Sequence, residues 1–254
     1  TASIAACPPP LPLGLCPRFP FPLPQAGGGK GRASANKVCA SKGEGVGRIP
    51  RAAAEESDMR VVAGKLRGRT LQGPKSDAIR PTADRLRESI FNILVHAYGD
   101  PVTGARVLDL FAGTGAMGIE ALSRGARFAL FVEDTAEGRA LLRANVEALA
   151  LGAVTRIFRR DATKLGAAHP VEPFSLVFCD PPYGKGLAEK ALASARDGGW
   201  LVPGALVVVE EAVRSKFTPP ERFEELERRA YDDTEFVILR FVIPDAPQRE
   251  ARNA

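Results

Sequence analysis

From Ala105 onward the chain alternates short apolar runs with amphipathic stretches, and few folds accommodate that rhythm. The runs ARVLDLF (105–111), FALFVE (128–133), VTRIFRR (154–160), FSLVFCD (174–180), ALVVVEE (205–211) and EFVILRFVI (235–243) predict strands. Between them AMGIEALSRG (116–125), TAEGRALLRANVEALA (135–150) and GLAEKALASARDG (186–198) predict helices, the first closed by Gly125. Strands separated by helices of about 10–15 residues imply parallel βαβ units. The expected class is therefore α/β, a Rossmann-like, mostly parallel, doubly wound sheet. Such sheets bind ligands beyond the carboxyl ends of their strands. Chemistry is thus expected just after Leu110, Val132, Arg159 and Cys179.

The segment before this alternation differs in kind. Residues 1–58 hold nine Pro and eight Gly and show no period of two or 3.6, which predicts disorder. They contain no acid before Glu44. A transit segment would share that composition, but the Pro and Gly density opposes an amphipathic helix. Upstream sequence preceding a true start at Met59 is the favoured reading, because regular patterning begins there. MRVVAGKLRGRTL (59–71) reads as a short basic hairpin turning at Gly64 and Gly68. Thr82 then reads as the N-cap of a helix, with Leu86, Ile90, Phe91, Ile93 and Leu94 at helical spacing. The expected division is a leader at 1–58, a basic extension at 59–100, the α/β domain at 101–243 and a disordered tail at 244–254.

Charge narrows the partner. The net charge is +5, and residues 59–106 alone carry nine Lys/Arg against four Asp/Glu. A basic block beside a slightly acidic body fits a nucleic-acid footprint as well as it fits a solvated face. Cys7, Cys16, Cys39 and Cys179 lack metal-ligand spacing, and His96 and His169 are the only histidines, so no metal site is expected. No apolar run reaches the ~20 residues of a membrane span, and a cytoplasmic monomer is expected. A plastid or mitochondrial location would follow if residues 1–58 were a transit segment.

Three motifs carry the chemistry. In VLDLFAGTGAMG, the glycines of Gly113-x-Gly115-x-x-Gly118 let the backbone turn tightly between strand and helix and approach a ligand. This match suits a nicotinamide cofactor and S-adenosylmethionine alike. Glu133, ending the second strand, can accept both ribose hydroxyls of an adenosine; Asp134 is a rival that more naturally opens the next helix. Asp161 could help hold the adenine amine or could cap a helix. Asp180-Pro181-Pro182-Tyr183 decides between the cofactors. An exocyclic amine is a poor nucleophile because its lone pair is delocalised into the ring. A carboxylate and a carbonyl fixed by two prolines can each accept one N–H, drawing the nitrogen toward tetrahedral geometry. Tyr183 offers an aromatic face for a base removed from its stack. A dehydrogenase would leave this tetrapeptide without a task.

From Met59 to about Arg240 the chain resembles the RsmD-type methyltransferases, which act on guanine N2 in small-subunit (16S) ribosomal RNA. The carrying segments are MRVVAGKLRGRTL, RPTADRLRESIFNIL, LDLFAGTGAMGIEALSRGA, Glu133 and DPPYGKG, and the stretch from Arg80 to Asn92 is the most specific. The resemblance implies an S-adenosylmethionine-dependent fold with a small N-terminal extension, acting on ribosomal RNA or the small subunit. It implies that Asp109, Gly113, Gly115 and Glu133 bind cofactor, and Phe111, Ala112 and Asp161 are further candidates for the same site. By the same match Asp180 to Tyr183 would hold the base, while the basic block offers Lys65, Arg67, Arg69, Arg80, Thr82 and Arg85 as the candidates to contact RNA. Adenine-N6 and glutamine-amide methylation use similar amine clamps and stay open as alternatives, as does an RNA-binding protein without catalysis.

Overall fold

A central strand walled on both faces by other elements must be apolar where it is covered, and RVLDL satisfies this except at Asp109 and at its half-covered first residue, Arg106. The computed structural model describes residues 59–73 and 84–243. The expectations for the leader, the tail, Arg80 and Thr82 lie outside them. Within them a seven-stranded sheet runs in the order β3-β2-β1-β4-β5-β7-β6. Its strands are β1 Arg106–Leu110, β2 Phe128–Val132, β3 Thr155–Phe158, β4 Phe174–Cys179, β5 Leu201–Ala212, β6 Phe223–Tyr231 and β7 Thr234–Phe241. The first five are parallel, whereas β7 runs antiparallel to both β5 and β6. The chain order reverses beside β1, which opens a crevice between β1 and β4 at their carboxyl ends.

The helices are α1 Asp84–Ala97, α2 Ala116–Ser123, α3 Ala136–Ala148 and α4 Leu187–Asp197. Alternate side chains of each strand feed two cores. One core packs Val107, Ala129, Phe131 and Phe178 against Phe91 of α1, Ile119 of α2 and Leu142 of α3. The other packs Leu108, Leu110, Val132 and Val177 against Leu192 of α4 and Trp200.

Two details depart from expectation. β6 was not predicted at all: FEELERRAY lacks an apolar period because it is an edge strand with most of its residues exposed. Arg228 and Arg229 on it pair with Glu225, Glu235 and Glu227, so it carries charge in place of an apolar face. β5 begins at Leu201, four residues before the predicted Ala205, and a register shift against β4 absorbs the Pro203-Gly204 segment.

The basic extension forms an antiparallel ribbon, although its ladder is a single bridge, Arg60 to Thr70. Val61 N donates to Arg69 O at 3.0 Å, Gly68 N to Val61 O at 2.8 Å and Leu71 N to Met59 O at 2.7 Å. A 3-10 turn, Gly64–Leu66, closes it. Gly64 has φ +81°, and a Cβ there would lie 2.0 Å from Ser123 O, so only glycine lets the ribbon approach α2 this closely. Glu120 of α2, fully buried, accepts from Val62 N at 2.7 Å and Ala63 N at 3.0 Å. The equally buried Arg87 of α1 lies 3.8 Å from that carboxylate. The ribbon is clamped to the α/β body by charge-assisted bonds.

Candidate active site

Register explains why the predicted site residues converge. Phe158, Val132, Leu110, Cys179 and Val209 stand side by side across the five parallel strands. One residue further along the chain therefore come Arg159, Glu133, Phe111, Asp180 and Glu210, arrayed along the carboxyl-terminal lip. The glycine turn after β1 and the DPPY segment after β4 are neighbours because β1 pairs with β4 through Leu110 and Cys179.

The glycine turn is built under constraint. Phe111 takes φ +61°, a left-handed conformation that costs a residue with a Cβ. Gly113 and Gly115 follow at +53° and +80°. Gly115 N donates to Ala112 O at 2.7 Å, and Ala112 N to Val132 O at 3.0 Å, which fastens the turn to β2. A Cβ on Gly115 would lie 2.3 Å from Leu142 Cδ1, and one on Gly118 2.4 Å from Phe131 Cε1. These two glycines thus set how closely α2 approaches α3 and β2.

Asp109 lies behind the turn, 4% exposed, where its carboxylate accepts from Gly118 N at 2.9 Å. Burial pushes its pKa up to about 8; the Gly118 bond opposes this and the Glu133 charge adds to it. Asp109 therefore anchors the start of α2. Glu133 accepts from Gly113 N at 2.8 Å, from Thr135 N at 2.8 Å and from Thr135 Oγ1 at 2.6 Å. It staples the glycine turn to the start of α3. Asp161 sits three residues past the end of β3, where its exposed side chain caps the turn Ala162–Lys164 through Thr163 N at 2.8 Å. The capping half of the sequence expectation describes its carboxylate.

The DPPY segment is graded in burial: Pro181 is buried, Asp180 and Tyr183 are partly covered, and Pro182 is exposed. The Tyr183 hydroxyl donates to Glu210 Oε1 at 2.6 Å. Burial, the Asp180 charge and the Glu210 charge together push its pKa well above the usual phenol value. Gly184 N approaches Glu211 Oε2 at 3.3 Å. Burial and the nearby Asp180 and Glu211 likewise push the Cys179 thiol upward, so it holds no nucleophilic thiolate.

Sequence reasoning took Glu210 and Glu211 only as the end of a strand. They are 7% and 2% exposed, two adjacent acids ending an apolar run beside DPPY, and that placement was their signal. It also passed over Asn145, Glu120 and Ser123, whose helical positions look ordinary until the ribbon docks on them. Lys65, Arg67, Arg69 and Arg85 are exposed, on the ribbon and α1 rather than on the lip. Arg69 also donates to Ala148 O at 3.1 Å. Arg80 and Thr82 lie outside the described residues.

A seven-stranded sheet of this order, with a glycine turn after β1, an acid after β2 and DPPY after β4, is the Rossmann-like fold of S-adenosylmethionine-dependent methyltransferases. A family model described as Conserved hypothetical protein 95 matches residues 59–240. Ribosomal RNA small subunit methyltransferase D of Escherichia coli is 40% identical over 158 residues, 62% of this chain and 76% of that protein. The protein of the same name from Haemophilus influenzae is 32% identical over 176 residues, 68% of this chain and 89% of its own. Among solved structures, yhhF of Escherichia coli superposes with a TM-score of 0.63 at 31% identity, covering 73% of this chain and 99% of that one. The chain belongs to the family of ribosomal RNA small subunit methyltransferase D.

Proposed function

We propose that this chain transfers the methyl group of S-adenosylmethionine to the exocyclic N2 amine of a guanine in small-subunit ribosomal RNA. The observation that carries the reading is the meeting of DPPY with the glycine turn on adjacent strands, in a chain of this family. The relatives' names support ribosomal RNA as substrate class. The guanine N2 target rests on the family resemblance of Arg80 to Asn92 and on the amine-clamping chemistry of DPPY.

The residues present fit the cofactor. Bound, it would supply an electrophilic methyl on a cationic sulfonium. Glu133, Asp180, Glu210 and Glu211 make the lip acidic, which favours a cation and disfavours a dinucleotide's diphosphate. Phe111, Ala112, Gly113 and Gly115 would bring backbone against it. Asp109 would hold the turn from behind, Glu133 would meet the ribose, and the turn around Asp161 would meet the adenine.

Each part of DPPY has a task. Asp180 and the Pro181 carbonyl would accept the two amine hydrogens, which localises the lone pair on nitrogen and aims it at the methyl group. Acceptance strengthens as positive charge grows on nitrogen, so the clamp favours the transition state over the bound base. Tyr183 would stack on the extruded base, its ring held in place by Glu210. After transfer the nitrogen carries one proton too many, and Asp180 would accept it. Lys65, Arg67, Arg69, Arg80, Thr82 and Arg85 would take backbone phosphates, which position an RNA without reading it.

The test is transfer of labelled methyl to 16S ribosomal RNA and to free small subunits, followed by nucleoside digestion. N2-methylguanosine as the labelled product is expected. Label in N6-methyladenosine would overturn the guanine assignment, and no label with either substrate would overturn the function.

A further inference from the structure

The basic ribbon and the cofactor turn are joined through buried side chains, Asn145 first among them. Asn145 of α3 is 1% exposed, and nothing in the proposed chemistry uses it. Its Oδ1 accepts from Gln72 N at 2.7 Å. Its Nδ2 donates to Gln72 O at 3.2 Å and to Thr114 O at 3.0 Å. Gln72 is where the ribbon's second strand ends, and Thr114 stands between the two turn glycines. The partners fix the amide's orientation, since one is an N–H and two are carbonyls. Both Nδ2 hydrogens are committed, one to each element, so the amide cannot swing toward one without releasing the other.

A second link runs parallel to the first. The Thr114 hydroxyl, itself buried, meets Met59 Sδ at 3.7 Å, and Met59 O accepts from Leu71 N. The turn thus touches the first strand of the ribbon through Met59 and the second through Asn145. At the ribbon's far end are the exposed Lys65 and Arg67. A cofactor contacting Gly113 and Gly115 would therefore feel any shift of a ribbon loaded with RNA.

We infer that Asn145 is a positioning residue that couples RNA engagement of the basic ribbon to the cofactor-binding conformation of the Gly113-Thr114-Gly115 turn. The inference rests on the proposed function and adds a regulatory property to the same site. Coupling of this kind is reciprocal: whatever factor RNA applies to cofactor affinity, cofactor applies to RNA affinity. The enzyme would then hold its cofactor best when a substrate RNA lies on the ribbon.

The experiment measures S-adenosylhomocysteine dissociation constants by calorimetry, with and without a 16S ribosomal RNA transcript, on the full chain. In the wild type RNA is expected to tighten cofactor binding by at least about five-fold, the lower end of ordinary coupling. Gln72→Pro removes the N–H that Asn145 Oδ1 accepts, together with the Gln72 side chain and the freedom of φ at that position, and it touches no partner in the Asn145–Thr114 bond. Its RNA-free affinity should match the wild type, while the RNA effect falls below about two-fold. Asn145→Ala should lose the RNA effect as well and in addition weaken RNA-free binding, because Thr114 O loses its donor. A variant that serves only structure would lower the melting temperature yet keep the coupling factor. Wild-type coupling in a folded Gln72→Pro chain, or no coupling in the wild type, overturns the inference. The same titrations separate it from the functional reading: a wild type that binds no S-adenosylhomocysteine refutes the function itself.

Discussion

Replacing Tyr183 by Phe separates two ideas of what that residue does. If only the ring mattered, for stacking on a base, the change would be nearly silent. The structure argues otherwise, because the phenol donates at 2.6 Å to Glu210, a carboxylate only 7% exposed. The phenol pKa is held above its ordinary value, so the proton stays in place as a donor at any working pH. A hydrogen bond to a charged acceptor contributes about 1.5–3 kcal/mol, and its loss leaves the acid less well compensated. For a body of this size each kcal/mol moves the melting temperature by roughly 2–4 °C, so Tyr183→Phe should lower it by roughly 3–12 °C. If the same bond fixes the ring against the base, single-turnover methyl transfer should fall by roughly ten- to hundredfold, at 1.4 kcal/mol per decade. Glu210→Gln keeps an acceptor oxygen and should lose less on both measures. An unchanged melting temperature together with unchanged transfer in Tyr183→Phe would refute the anchoring role.

Other expectations follow from the same geometry. Gly115→Ala puts a methyl group 2.3 Å from Leu142 at φ +80°, and calorimetry should find S-adenosylhomocysteine binding abolished. Asp109 binds its proton more tightly folded, up to about 8, than unfolded, so its contribution to stability is full at low pH and is lost as pH rises through that value. Asp109→Asn has no such proton to lose, so melting curves should show its stability relative to wild type improving from pH 5 to 8; parallel pH profiles would contradict this. Neutralising Lys65, Arg67 and Arg69 together should weaken RNA binding and flatten its logarithmic salt dependence by up to about two to three units.

How much of this was readable beforehand depends on the kind of interaction. β1, β2 and β4 are buried on both faces, so their apolar runs announced them, and their carboxyl ends located the lip. β6 escaped because an edge strand need satisfy no apolar period, and FEELERRAY reads as a charged helix or loop equally well. Glycine spacing located the turn after β1, but not the reason for each glycine: Gly118 answers to Phe131, whereas Gly113 answers to a turn at positive φ. The roles of Glu210, Glu120 and Asn145 depend on partners 27, 57 to 58 and 73 residues distant in sequence, Tyr183, the ribbon amides and Gln72. No local pattern records such pairings. The aromatic face of Tyr183 was legible for the same reason that the bond from its hydroxyl to Glu210 was not.

The central claim is that Asp180 clamps the target amine, and Asp180→Ala tests it most directly. Single-turnover transfer at saturating cofactor and RNA should fall at least ~10²–10³-fold, the usual loss for one preorganised electrostatic partner. The dissociation constant for S-adenosylhomocysteine should stay near the wild-type value, since the clamp acts on the base. Near-normal transfer in a folded Asp180→Ala chain would contradict the account and remove DPPY from the active site.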